Sequence, residues 1–223
     1  MATRRNSHYR PFPSLIACVV LLLHYSSAQF DHFKLVLTWP HSFCLVYPGK
    51  CHRTPLPLNF TIHGLWPDKQ KGKTSPCKKY PVSPLNDKNL ELRLEESWPD
   101  LRRDSKLGFS TIFWKEQWDK HGSCAWPLYN YEKYFLKALE FKDKFDVLGH
   151  LVQDSLGPGT SPTVSRNLVN KTISQATTGI PILKCPSNYL TEVVICFKPT
   201  GVVVVACPQP PKDPCPNENV NFP

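Results

Sequence analysis

Cysteine usage constrains this chain more than any other feature. Nine cysteines occur in 223 residues. One of them, Cys18, lies in an N-terminal stretch that reads as a secretory leader. Arg4, Arg5 and Arg10 give a positive start, Ser14 to Leu23 is largely apolar, and Ser26-Ser27-Ala28 offers small residues for cleavage. The apolar run is shorter than the roughly 20 residues needed to cross a bilayer. Cleavage after Ala28 would leave residues 29–223 as one secreted, extracellular domain, long enough for a sizeable core. That domain keeps an even set: Cys44, Cys51, Cys77, Cys124, Cys185, Cys196, Cys207 and Cys215. In an oxidising compartment such a set predicts disulfides, although sequence leaves every pairing open. No Cys-x-x-Cys or His-x-x-x-His pair occurs, so a zinc site is not expected, nor is any other metal or cofactor.

Hydrophobic patterning predicts an α+β domain: an antiparallel central sheet flanked by several helices and stapled by disulfides. Phe33 to Trp39 and Asn59 to Gly64 read as strands, which sets His63 at a strand end. Asp87 to Trp98 fits a helix with Leu90, Leu94, Trp98 and Leu101 on one face. A short helix spans Thr111 to Lys120 and is closed by Gly122. Asn130 caps a helix whose buried stripe is Tyr131, Tyr134, Phe135, Ala138 and Leu139. Asp146 opens another, and Ser161-Pro162 looks like a cap followed by a first-turn proline. Tyr189 to Lys198 and Val202 to Cys207 form a hairpin about Pro199-Thr200-Gly201. The proline-rich tail from Pro208 is expected to be held only by Cys215.

The formal net charge is +9, three charges of it from the leader arginines. An excess of this sign attracts polyanions without sequence preference, and it equally serves solubility. Lys69, Lys71, Lys73, Lys78 and Lys79 cluster in a stretch that Gly72, Pro76 and Pro81 make a loop. This loop either rims a polyanion cleft or is a solvated face. Asn59-Phe60-Thr61 and Asn170-Lys171-Thr172 are acceptor sequons, so Asn59 and Asn170 are candidate glycosylation sites.

Two segments carry the chemistry: Phe60-Thr61-Ile62-His63-Gly64-Leu65-Trp66-Pro67, and Phe113-Trp114-Lys115-Glu116-Gln117-Trp118-Asp119-Lys120-His121-Gly122. On a helical period Trp114, Gln117, Trp118 and His121 share one face, and Phe113, Gln117 and Lys120 an adjoining one. A lone histidine at a helix end is more often a cap than a catalyst. A second histidine in a matching motif reverses that reading for both. Two imidazoles and a lysine suffice to cleave RNA without metal: one removes the ribose 2′-hydroxyl proton, the other protonates the leaving oxygen, and the lysine holds the phosphate charge. The helix dipole predicts a raised pKa for His121. Glu116 is spaced to form an i,i+4 ion pair with Lys120 and points away from Gln117's side of the helix.

These two segments resemble the active-site motifs of the T2-type ribonucleases. The resemblance extends to Gln29-Phe30-Asp31, Leu35-Val36-Leu37-Thr38-Trp39-Pro40, the cysteine spacing and the closing Asn221-Phe222-Pro223. The opening and the basic charge are most similar to the S-ribonucleases of plant self-incompatibility. The resemblance implies the pairings Cys44–Cys51, Cys77–Cys124, Cys185–Cys215 and Cys196–Cys207. It implies His63 as proton donor to the leaving 5′-oxygen, His121 as acceptor from the 2′-hydroxyl, and Lys120 as the group that stabilises the phosphorane. Many members place glutamate four residues before the second histidine, where this chain has Gln117; slower catalysis is expected there, not inactivity. Base contacts map to Thr38, Asp100, Leu101 and Phe113. Trp66 either stacks on ribose, base or imidazole, or simply packs in the core. The expected partners are single-stranded RNA and pollen-side recognition proteins, with no membrane and a monomeric chain. A housekeeping or defence ribonuclease, and a weakly catalytic or non-catalytic recognition protein on the same scaffold, stand as alternatives.

Overall fold

His32–Thr38 (β1) is buried along nearly its whole length, which is the signature of a strand covered on both faces. In the computed structural model, which describes residues 30–72 and 76–223, β1 is central. The expected leader with its expected cleavage site, Gln29 and Lys73 lie outside the described residues. β1 pairs antiparallel with Thr61–Asp68 (β2) on one side and with Glu192–Phe197 (β5) on the other. Ile182–Lys184 (β4) extends the sheet, and Val204–Val205 (β6) forms the expected hairpin with β5. Phe33, Leu35 and Leu37 point into the main core, while Val36 on the opposite face meets Ile182, Val194 and the Cys196–Cys207 disulfide.

Helices Pro40–Val46 (α1), Lys88–Ser97 (α2), Thr111–Lys120 (α3), Tyr131–Lys144 (α4), Val147–Gln153 (α5) and Arg166–Thr177 (α6) surround this sheet. The caps follow the sequence: Asp87 accepts from the N–H groups of Asn89 and Leu90, Asn130 from Lys133, and Asp146 from Gly149. Each such cap contributes about 1 kcal/mol. Leu90, Leu94 and Trp98 bury against Tyr134 and Phe135 of α4, as their shared face requires. The four disulfides are those the family resemblance implied.

Three expectations need correction. β2 does not stop at Gly64: Leu65 to Asp68 continue the ladder opposite Leu35 to His32. It is an edge strand, where Pro67 is tolerated. His63 therefore sits within the strand, not at its end. α6 begins at Arg166, capped by Ser165, not at Ser161-Pro162. The reason is pairing: Val164–Ser165 (β3) is held extended by Asn219–Val220 (β7). That pairing also anchors the tail, which Cys215 does not hold alone. Phe222 is fully buried, and the Pro223 carbonyl accepts a hydrogen bond from Trp39 Nε1 at 2.7 Å.

Candidate active site

The register of β1 against β2 slips at one point. Val36 lies opposite Gly64 and Leu37 opposite Ile62, so His63 is the extra residue of a β-bulge. A bulge leaves its residue unpaired in the ladder and re-aims the side chain. The His63 ring is accordingly part-exposed, and its carbonyl accepts from Trp98 Nε1 at 3.0 Å.

The second histidine comes from α3. Trp114 and Trp118 are fully buried and anchor this helix on Phe135 and Tyr134 of α4. Anchoring by those two rings turns Phe113, Gln117 and Lys120 toward a cleft. His121 terminates the helix, its N–H donating to the Gln117 carbonyl at 3.0 Å. Between the two histidines lies the Trp66 indole. It stacks on His121 with ring centroids 5.0 Å apart and meets His63 edge-on at 5.3 Å. Its Nε1 donates to Gln117 Oε1 at 3.3 Å. Trp66 thus separates the two imidazoles and also packs against the smaller core cluster of Val36, Ile182 and Val194. Close approach is allowed by Gly64, where a Cβ would lie 2.0 Å from Trp66 Nε1 and 2.6 Å from Gln117 Oε1.

The cleft has a volume of about 220 Å³ and brings together Thr38, His63, Asp100, Leu101, Phe113, Gln117 and Lys120. Trp66 and His121 open instead on an adjoining groove, shared with Lys34, Asp68, Lys69 and Lys184. A model of the ribonuclease T2 family matches residues 30–207. The chain belongs to that family.

Among its relatives, Ribonuclease S-2 of Antirrhinum hispanicum is 45% identical over 100% of this chain and 95% of that protein. Ribonuclease S-2 of Solanum tuberosum is 39% identical over 81% of this chain and 83% of the relative. The crystal structure of the self-incompatibility-associated SF11-RNase of Nicotiana alata superposes with a TM-score of 0.77 at 35% identity, covering 86% of this chain and 98% of that one. This T2-family chain is an endoribonuclease of the T2 type, with plant S-ribonucleases among its relatives.

The electrostatics of the candidate site depart from expectation in two places. His121 is not raised by the helix dipole. Burial, then the adjacent Lys120 charge, then His63 bring its pKa down to about 4. Desolvation and a neighbouring cation outweigh the roughly 0.3–1 kcal/mol that a helix end typically supplies to a cation. Glu116 does not pair with Lys120. It lines the cleft and bonds Arg102 at 2.8 Å and Arg103 at 3.3 Å, while Lys115 and Asp119 form the i,i+4 pair at 2.5 Å. The hydrogen bond from Arg102 holds the Glu116 carboxyl below its usual value.

Arg102 and Arg103 also engage the buried Asp100 carboxylate from two sides. The Arg102 guanidinium lies 5.0 Å from the centre of the Phe113 ring. Two of the expected base-contact residues are therefore roofed by arginines that sequence reading did not single out. Leu101 is buried, and its carbonyl accepts from His52 and Arg53 N–H groups. Of the lysine cluster, Lys69 lines the groove beside His121, and Cys77–Cys124 ties the following loop to the turn after His121. Asn59 is exposed, whereas Asn170 is part-buried on α6, where Ser174 donates to it at 3.2 Å.

The most consequential omission is Glu192. Its Oε1 lies 2.6 Å from His63 Nδ1, and its Oε2 accepts from Lys184 Nζ at 2.6 Å. Burial opposes its charge, yet the hydrogen bond and charge of His63, followed by Lys184, bring its pKa down to about 2. A single acid inside the apolar run Leu190-Thr191-Glu192-Val193-Val194-Ile195 was the signal that could have marked it.

Proposed function

We propose that this chain is a secreted ribonuclease that cleaves single-stranded RNA by transphosphorylation, leaving a 2′,3′-cyclic phosphate, and that it acts in the pistil in self-incompatibility. The observation that carries the chemistry is the indole of Trp66 held between His63 and His121, with Lys120 beside them. Held near 4, His121 is neutral at mildly acidic and neutral pH and free to accept the 2′-hydroxyl proton. The 2′-oxygen then bonds to phosphorus while the bond to the 5′-oxygen breaks. His63 donates its proton to that leaving oxygen. Lys120 offsets the extra charge of the phosphorane, a role worth roughly 3 kcal/mol for a preorganised donor. Similarity to an S-ribonuclease along the whole chain, at 45% identity, supports the pistil role. Pollen-side recognition proteins are the proposed partners of a monomeric, extracellular protein.

The purified protein, spanning residues 29–223, should digest single-stranded RNA in excess EDTA to cyclic-phosphate ends, and the rate should fall as pH drops through about 4. His63→Ala and His121→Ala should each lose about 10³-fold in kcat while keeping the far-UV spectrum. Abolition of activity by chelation, or a 5′-phosphate product, would overturn the mechanism. Transcript found throughout the plant instead of the pistil would favour the housekeeping reading.

A further inference from the structure

Three strands converge beside His63. Thr38 of β1 lies opposite Glu192 of β5, and Glu192 lies opposite Lys184 of β4. Both carboxylate oxygens of Glu192 are thereby engaged, one by the imidazole and one by the ammonium. The Glu192 side chain is only 12% exposed, so its charge is poorly screened by water. The Lys184 ammonium also lies 5.3 Å from the centre of the Trp66 ring. Lys184 is therefore pinned between the carboxylate and the indole that separates the two histidines.

Resting on the ribonuclease reading above, we infer that Glu192 and Lys184 form a positioning pair that makes His63 the acid of the reaction. An ionised carboxylate against Nδ1 requires a proton there, which leaves Nε2 as the nitrogen that exchanges protons with the leaving oxygen. The same negative charge is a counter-ion for the imidazolium. Lys184 moderates that effect by taking up the second oxygen. The other charged groups around His63 are Lys120 and His121 at the end of α3 and Lys50 after α1. Asp100, Arg102 and Glu116 line the same cleft but are satisfied by one another. Glu192 is thus the one carboxylate in contact with His63 among the described residues. The assignment gives the two histidines opposite environments: a carboxylate at His63, a lysine at His121. Separation of this kind assigns acid and base within a pair.

The pair predicts pH shifts of opposite sign. Glu192→Gln removes the counter-ion. It should lower kcat for a dinucleotide about tenfold and move the alkaline limb of the kcat–pH profile about one unit toward lower pH. Lys184→Gln leaves Glu192 wholly to His63 and should move the same limb toward higher pH. A purely structural role would lower both rates without opposed shifts. Limbs that coincide with the wild type, or that move in one direction for both variants, would overturn the assignment. NMR titration of the His63 ring in the three proteins reads the same shifts without turnover. An inactive wild-type enzyme would thus remove the proposed function and leave this test standing.

Discussion

At the residue scale, Gln117 is buried and its Oε1 accepts from the Trp66 indole. It lines the cleft with Lys120 and His63. A glutamate in its place keeps an acceptor for Trp66 Nε1, so a new carboxylate would not be left without a partner. A carboxylate can also share a proton with a phosphoryl oxygen, which an amide cannot, and charge-assisted hydrogen bonds are roughly twice as strong as neutral ones. Gln117→Glu should therefore raise kcat about tenfold, equivalent to ~1.4 kcal/mol of barrier, with the change concentrated on the acidic side of the profile. Steady-state cleavage of a dinucleotide across pH for both forms checks this. A folded variant with an unchanged or lower rate would show that position 117 is not where a catalytic carboxylate belongs. The residue types gathered at the candidate site were readable because imidazole and ammonium chemistry is local to a side chain. The His121 environment was not, because desolvation depends on what other parts of the chain bring against it.

At the element scale, the site is a meeting of a bulged edge strand with the C-terminal end of a helix. β2 supplies His63 through the bulge and Trp66 three residues later, and α3 supplies Gln117, Lys120 and His121. Gly64 lies between those two contributions from β2. Gly64→Ala would set a methyl group 2.0 Å from Trp66 Nε1 and 2.6 Å from Gln117 Oε1, far inside van der Waals contact, so Trp66 and Gln117 must both move. Activity should fall at least about a hundredfold, as expected when the catalytic geometry is displaced by an ångström. The core beneath is made of Leu35, Leu65 and Trp98 and remains intact, so the protein should still unfold cooperatively. The checks are kcat on a dinucleotide and a thermal melt on the same sample. Near-wild-type turnover would mean that the indole is not the spacer that sets the histidines apart. Helix boundaries were legible where caps and apolar stripes agree, as at Asp87 and Asn130. The start of α6 was not, because Ser161-Pro162 carries a good local signal that pairing of β3 with the distant tail overrides.

At the scale of the whole molecule, two part-buried titratable groups tie stability to pH. The folded chain protonates His121 only near pH 4, whereas the unfolded chain does so near 6.5. Across that window the unfolded state holds more protons, so stability falls as pH is lowered through it. Glu192 contributes stability above pH 4.5 that is lost as pH falls toward about 2. The melting temperature should thus decline below about pH 6.5 and fall further below 4.5, and Glu192→Gln should flatten the lower part. Parallel melts of both proteins between pH 3 and 7 check this; identical curves would show that Glu192 carries no such linkage. The sequence by itself determined the covalent and chemical inventory: eight cysteines beyond residue 28, two histidine motifs, a lysine beside one of them, and the periodicities of an α+β chain. These are properties of single residues and of near neighbours along the chain. Only the tertiary structure decided which partners those groups meet. Glu192 reaches His63, and Lys184 reaches Glu192, through sheet register; Arg102 and Arg103 claim Asp100 and Glu116, and the tail closes on Trp39. Such contacts join positions far apart in the chain, and burial and charge act through space, where sequence spacing carries no information.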